Sequence, residues 1–172
     1  FELGTGVGFV SLFCASICTA RNVHTYEANP LLIPLIKRNF ELNRRSISVN
    51  NAVLVNDPSE PYSSFYVCKD FYSSSLSKPS AYERVIQVAN RDFLSEIKRI
   101  EPTFLIVDIE GYEYKLFQGF VVPDSVDKVL IELHPKKAYT HFDLVEYFRK
   151  SGFVVSDKYL KMNQLLAIRC HE

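Results

Sequence analysis

Short apolar segments of β-strand type alternate along most of the chain with longer segments of helical periodicity. Such alternation predicts an α/β fold, an open and mostly parallel sheet with helices on both faces. A short polar turn at 161–164 joins the last two strands and makes the final strand antiparallel. We predict seven strands, at 1–3, 23–26, 49–55, 103–109, 126–133, 153–156 and 165–169, and helices at 7–20, 31–42, 93–100, 112–118 and 142–150.

The middle of the chain departs from this alternation. Two β-type segments at 63–69 and 83–89 flank a serine-rich loop at 72–80, and we predict that they form an inserted hairpin. With 172 residues the chain has room for one domain, since a typical domain has about 100–200 residues. The only methionine is Met162, and the chain starts within a predicted strand. We therefore expect a single domain, 1–172, whose N-terminal part is missing.

Charge and hydropathy exclude several classes of protein. The chain has 20 Lys and Arg against 20 Asp and Glu, so it lacks the basic excess typical of proteins that bind nucleic acid through its phosphates. No apolar run approaches the roughly 18 residues of a membrane-spanning helix. The four cysteines include no Cys-x-x-Cys pair, which favours free thiols in a reducing, cytoplasmic setting. We expect neither nucleic acid nor a membrane as a partner, and the sequence leaves the oligomeric state open.

A glycine-rich turn joins the first predicted strand to the first helix, with the sequence Phe-Glu-Leu-Gly-Thr-Gly-Val-Gly at 1–8. Glycines at such a place let the backbone turn sharply and approach a ligand closely. The dinucleotide-binding pattern Gly-x-Gly-x-x-Gly fails here, because Phe9 stands where its third glycine belongs. Glu2 precedes the first glycine by two positions, and a carboxylate there suits a cationic ligand better than a pyrophosphate.

Glu27 ends the second predicted strand, 19 residues after Gly8. In nucleotide-binding folds an acidic residue about 20 residues beyond the glycines binds the ribose diol. A carboxylate suits that role because it accepts hydrogen bonds from both hydroxyls at once. Asn51 and Ala52 lie in the third predicted strand, close to where this fold places an adenine ring.

Three carboxylates follow the most apolar predicted strand: Asp108, Glu110 and Glu113. Ligands of open α/β sheets bind at the carboxyl ends of the strands, and residues two apart face the same side of an extended chain. Glu113 falls in the first turn of the next helix, where the helix dipole favours negative charge. Carboxylates this close repel each other, so we expect a ligand, a basic group or a metal ion as their partner.

The segment Asp-Ile-Glu-Gly-Tyr-Glu at 108–113, followed by Leu116 and Gly119, closely resembles the signature of the FkbM-type methyltransferases, a class I family with a Rossmann-like sheet. The glycine turn resembles motif I of such enzymes, and the segment 129–134 also resembles the family. The resemblance extends from Glu2 to the final strand pair. It implies S-adenosyl-L-methionine as cofactor, with contacts from Glu2, Gly4, Thr5, Gly6, Gly8, Glu27, Ala28, Asn51, Ala52 and Asp108.

The same resemblance implies methyl transfer to oxygen, usually to a hydroxyl on a small molecule or sugar. A neutral hydroxyl must lose its proton, and a carboxylate or histidine at the site can accept it. We predict Glu110 and His134 for that role, with Asp108 in the wall of the shared pocket. The acceptor contacts predicted are Ser74, Ser75 and Glu132. The sequence predicts no metal site, although Asp108, Glu110 and Glu132 have oxygens that could serve as ligands.

Two other interpretations stay open. The first is a nicotinamide-dependent oxidoreductase, which is disfavoured by Phe9 and by Leu116, since Leu116 stands where a Tyr-x-x-x-Lys pair starting at Tyr112 would need lysine. The second is a non-catalytic cofactor-binding module of the same fold, whose acceptor pocket would be incomplete without the missing N-terminal part.

Overall fold

The computed structural model describes residues 1–134 and 141–170. Within these ranges two short 3-10 helices, Ala20–Asn22 and Phe71–Ser73, accompany the main elements. The strands are β1 Glu2–Leu3, β2 His24–Glu27, β3 Ser48–Asn51, β4 Val53–Val55, β5 Tyr62–Val67, β6 Arg84–Asp92, β7 Phe104–Val107, β8 Lys128–Glu132, β9 Phe153–Val155 and β10 Gln164–Arg169. The helices are α1 Phe9–Ile17, α2 Ile33–Leu42, α3 Phe93–Ile100, α4 Glu113–Phe117, α5 His141–Lys150 and α6 Asp157–Leu160.

The main sheet has seven strands in the order β3-β2-β1-β7-β8-β10-β9. The pairs from β3 to β8 are parallel, and β10 runs antiparallel to both β8 and β9. The chain leads in opposite directions from the β1–β7 pair, and because crossovers between parallel strands are right-handed, helices lie on both faces of the sheet. This confirms the predicted α/β architecture with its antiparallel last strand. The strand order reverses between β1 and β7, which is the position where such sheets bind ligands.

A second, three-stranded sheet has the order β4-β6-β5. Its β5 and β6 form an antiparallel hairpin, so the predicted insertion is present. The prediction of one strand at 49–55 was wrong. Its first half, β3, pairs with β2 in the main sheet, whereas its second half, β4, pairs with β6. Ala52 separates the two halves and is buried, while the preceding Asn51 is exposed.

The core lies between β7 and β8 and the helices α3, α4 and α5. Leu105, Val107 and Ile131 of the strands pack in one cluster with Phe117 and Phe148 of the helices. Within the described residues, no helix is long and apolar enough to cross a membrane.

The helices begin and end where local chemistry allows. Asp92 caps α3 as predicted, with its Oδ2 accepting a hydrogen bond from the Ser95 N–H at 2.8 Å. Helix α1 is shorter than the predicted 7–20, because Gly8 precedes it in a left-handed conformation (φ 87°) and Cys18 is extended. The predicted polar turn at 161–164 is preceded by the short helix α6.

Candidate active site

The glycine turn leaves β1 at the point where the strand order reverses. Gly4, Gly6 and Gly8 all have positive φ, at 84°, 56° and 87°. A Cβ on Gly4 would lie 1.6 Å from the backbone oxygen of Asp108, so the first glycine is required by the close approach of β7. The Gly4 N–H donates to the Tyr26 carbonyl at 2.9 Å, which holds the turn against β2 as well.

Glu2 lies beneath this turn and does not line the cavity beside it. It is buried, and its Oε2 accepts hydrogen bonds from the hydroxyls of Ser11 and Thr25. Thr5 completes the group through a hydrogen bond between its hydroxyl and that of Thr25. Burial raises the pKa of Glu2, and its two hydroxyl partners oppose that rise. The predicted cofactor residues Glu2 and Thr5 therefore hold the turn to α1 and β2.

Glu27, at the carboxyl end of β2, borders the cavity and also holds the turn. Its Oε2 accepts from the Gly6 N–H at 2.9 Å and its Oε1 from the Asn29 N–H at 2.7 Å. Burial raises the pKa of Glu27, although these backbone hydrogen bonds favour the ionised form. Asn51 lies outside the cavity lining and donates from Nδ2 to the Glu27 carbonyl at 2.8 Å, which ties the ends of β2 and β3 together.

The open cavity at this sheet edge encloses about 780 Å³, its mouth included. It brings together many of the predicted site residues: Gly4, Gly6, Glu27, Ala28, Ala52, Ser74, Asp108 and Glu110. Most of the lining residues that the sequence did not predict are apolar, and they include Val53, Leu54, Phe65, Leu76, Ile109 and Tyr112. Val53 and Leu54 could have been predicted as lining residues, because they directly follow Asn51 and Ala52. Nothing in the sequence around Phe65 and Leu76 indicates that they line the cavity.

The two predicted acceptor serines are buried and engaged with their own loop. Ser74 borders the cavity, and its Oγ accepts from the Cys68 N–H at 3.0 Å. Ser75 does not border the cavity, and its Oγ donates to the Ser77 carbonyl at 2.8 Å. In the structure both hydroxyls shape the loop that follows β5.

The turn after β7 folds its backbone onto Glu113, the last carboxylate of the signature. Glu110 (φ 54°) and Gly111 (φ 90°) both have left-handed backbones, which reverses the chain into α4. As a result the N–H of Gly111 points back at Glu113 and donates to its Oε1 at 2.9 Å. The Glu113 side chain is only 1% exposed, so the first acidic residue of α4 is a buried anchor of the turn.

His134, just past β8, lies among these carboxylates. Its Nδ1 donates to Glu113 Oε1 at 3.0 Å, and its Nε2 lies 3.4 Å from Glu110 Oε2 and 4.0 Å from Glu132 Oε1. The hydrogen bond to Glu113 is the main cause that raises the pKa of His134 to about 9. Asp108 completes the group, and burial followed by repulsion from Glu132 and Glu110 raises its pKa to about 7.

These residues form one acidic cluster at the rim of the cavity. A nitrogen of His134 and oxygens of Asp108 and Glu110 all lie within 4.8 Å of one another. The arrangement can bind positive charge, and it can accept a proton from a bound ligand. Glu132 borders the cluster with its side chain 53% exposed.

A sequence profile described as Methyltransferase FkbM domain matches residues 4–155, which is most of the chain. The chain belongs to the FkbM methyltransferase family. The matched segment of this FkbM methyltransferase contains the three turn glycines, Glu27, the signature at 108–113 and His134. The family resemblance predicted from those motifs is thereby confirmed. No curated protein sequence matches the chain.

Proposed function

We propose that this protein is an S-adenosyl-L-methionine-dependent methyltransferase that methylates a hydroxyl on a small molecule or sugar. One observation carries the proposal: a single cavity is bordered by the glycine turn and Glu27 on one side and by Asp108 and Glu110 on the other. Membership of a methyltransferase family supports the reaction class. The acidic walls favour a cationic sulfonium donor over an anionic dinucleotide.

The residues of the cavity fit the parts of this cofactor. The Glu27 carboxylate, at the carboxyl end of β2, can accept hydrogen bonds from the ribose hydroxyls. Ala52, Leu54 and Phe65 supply an apolar wall of the kind that an adenine ring contacts. The glycine turn supplies backbone that a ligand can approach closely, since Gly4 and Gly6 have no side chains.

The chemistry needs alignment and a proton acceptor. When bound, the cofactor supplies a methyl group already activated by its positive sulfur. The protein holds the acceptor oxygen in line with that methyl carbon, and such positioning accounts for a large part of catalysis between two substrates. The hydroxyl proton leaves to a carboxylate of the cluster at the cavity rim, Asp108 or Glu110, since the raised pKa of His134 keeps its imidazole protonated near neutral pH. We propose that Glu132 and Ser74 contact the methyl acceptor.

The partners and location follow as part of the same proposal. The zero net charge supports a small-molecule or glycan acceptor over a nucleic acid. All four cysteines are free thiols in the structure, which supports a reducing, cytoplasmic compartment.

Calorimetric titration of the full chain with S-adenosylhomocysteine tests cofactor binding. We expect saturable binding near one molecule per chain, weakened in Glu27→Gln and unchanged in Glu41→Gln, a surface carboxylate with 70% of its side chain exposed. Absence of binding to folded protein would refute the proposal. Tighter binding of NADH than of S-adenosylhomocysteine would instead support the oxidoreductase alternative.

Transfer of a radiolabelled methyl group to a panel of hydroxylated metabolites and glycans tests catalysis. A labelled ether product identifies the acceptor class. Cofactor binding without transfer to any acceptor in the panel would favour the non-catalytic module of the same fold.

A further inference from the structure

We propose that Asp108, Glu110 and His134 bind a divalent transition-metal ion, Mn²⁺ or Zn²⁺, at the rim of the cofactor cavity. The three side chains offer one imidazole nitrogen and two carboxylate oxygens, all within 4.8 Å of one another. Ligand atoms arranged tetrahedrally about 2.1 Å from such an ion lie about 3.4 Å apart. His134 Nε2 and Glu110 Oε2 already lie 3.4 Å apart, and the other pairs, within 4.8 Å, need to close by up to about 1.4 Å, which side-chain rotations can supply.

The histidine is oriented as a metal ligand is. Glu113 accepts the Nδ1–H of His134, so Nε2 is the ring atom that faces Glu110, 3.4 Å away. Metal-bound histidines almost always donate their other N–H to a carboxylate or carbonyl in this way. Glu113 itself cannot swing aside, because it is buried and its Oε1 also accepts from the Gly111 N–H. A proton on Nε2 would be released to solvent when the metal ion takes its place.

Asp108 offers a second, independent indication of a missing partner. Its Oδ1 is shielded from solvent and accepts no hydrogen bond within the part of the chain that the structure describes. A buried carboxylate oxygen left unpaired is unfavourable, because it has lost its hydrogen bonds to water without gaining others. The residue borders the cavity, so a metal ion at the rim would satisfy this oxygen.

The ligand set and its surroundings select the class of ion. Glu132 and Glu113 add two more carboxylates around His134, so the cluster has an excess of negative charge. Carboxylate oxygens suit Mn²⁺, and imidazole suits Zn²⁺ and other borderline ions, whereas Ca²⁺ prefers six or more oxygens. Three protein ligands leave coordination positions open toward the cavity.

The role of the ion in catalysis rests on the proposed function, but its binding does not. In a hydroxyl methyltransferase an ion at the cavity rim would bind the acceptor oxygen and stabilise its deprotonated form. The experiment therefore measures metal binding and cofactor binding separately on the same samples.

Full-length protein stripped with a chelator is titrated with Mn²⁺ by calorimetry and by electron paramagnetic resonance. We expect one saturable site, and a spin-echo signal from a bound ¹⁴N that disappears in His134→Gln. Glu113→Gln alters the group that orients the histidine and that also accepts from the Gly111 N–H, and it should weaken binding by about 10- to 100-fold. Glu110→Gln, a partly exposed position, should weaken it at least as much, while Glu41→Gln should bind as the wild type does.

Absence of saturable Mn²⁺ or Zn²⁺ binding in wild-type protein would overturn the proposal. So would equal affinity in His134→Gln, Glu110→Gln and wild type, with circular dichroism showing all three folded. Titration with S-adenosylhomocysteine separates the two proposals. Cofactor binding without metal binding refutes the metal site alone, and metal binding without cofactor binding refutes the proposed function alone.

Discussion

Replacing Gly4 by alanine tests whether the glycine turn can lie against the end of β7 only because residue 4 has no side chain. The added Cβ would lie 1.6 Å from the Asp108 oxygen, and atoms of this kind essentially never approach closer than 3.0 Å. The gap must therefore widen by about 1.4 Å. Hydrogen bonds on both sides resist this movement, one from Gly4 N–H to Tyr26 and one from Asp108 N–H to Leu3, each 2.9 Å long.

The magnitude follows from these contacts. A non-glycine residue in the left-handed region costs about 1–2 kcal/mol, and a lost buried backbone hydrogen bond costs about 1–3 kcal/mol. We expect Gly4→Ala to lower the free energy of unfolding by about 2–5 kcal/mol, a large share of the about 5–15 kcal/mol typical of native proteins. Gly152→Ala is the matched control, since Gly152 has φ 82° but a Cβ added there would meet no atom within 4 Å. That variant should lose only about 1–2 kcal/mol.

Urea unfolding followed by far-ultraviolet circular dichroism measures both variants, because the chain has no tryptophan to report by fluorescence. In conditions where Gly4→Ala stays folded, it should also lose affinity for S-adenosylhomocysteine, whereas Gly152→Ala should keep it. Equal destabilisation by the two substitutions would refute the reasoning, because left-handed strain alone would then account for both.

Three further predictions concern Glu27 and the network around Tyr26. Glu27→Ala should weaken binding of S-adenosylhomocysteine by about 10- to 100-fold in calorimetry, since hydrogen bonds to a charged group contribute about 1.5–3 kcal/mol; unchanged affinity would rule out its contact with the diol. Tyr26→Phe removes a 2.6 Å hydrogen bond to Glu96 and should lower the free energy of unfolding by about 1–3 kcal/mol in urea; a loss near zero would show that the network contributes nothing. Burial raises the pKa of Glu96, but hydrogen bonds from Tyr26, Arg99 and Arg91 outweigh it and the net shift is downward. Because the pKa of Glu96 is lower in the folded state, its ionised form stabilises the fold above the unfolded-state value of 4.5. This stabilisation is lost as the pH falls through the folded-state pKa. Wild type should therefore lose stability below pH 4.5 more steeply than Glu96→Gln. Parallel pH profiles of the two proteins would contradict this.

The sequence predicted the main sheet well because its signals are local. Apolar runs such as 103–109 and the glycine turn mark where strands end, and parallel strands bring those ends to one edge. This is how Gly4, Glu27 and Asp108 could be placed together before any geometry was known. In the structure all three line the same cavity.

Local signals fail where partners are distant in the chain. The segment 49–55 contains no glycine or proline, so nothing in its sequence marks the change of sheet at Ala52. Helix α1 shows the same limit: its apolar residues Phe13 and Ile17 are exposed, whereas Ser11 is buried by its hydrogen bond to Glu2. Periodicity predicts that the apolar face of α1 is buried. The face that contains Ser11 is buried instead, where Ser11 donates to the carboxylate of Glu2 in β1.

One part of the site is therefore positioned by the main sheet, and a second part is positioned by side-chain contacts. The glycine turn and Asp108 are joined by the β1–β7 ladder, in which strands lie about 4.8 Å apart whatever side chains they carry. Glu110 and His134 lie beyond the ends of β7 and β8, where side-chain contacts join His134 to Glu110 and to Glu113. Substitutions in this second part should change what the cluster binds without altering the fold, which makes it the place where members of one fold can acquire different acceptors.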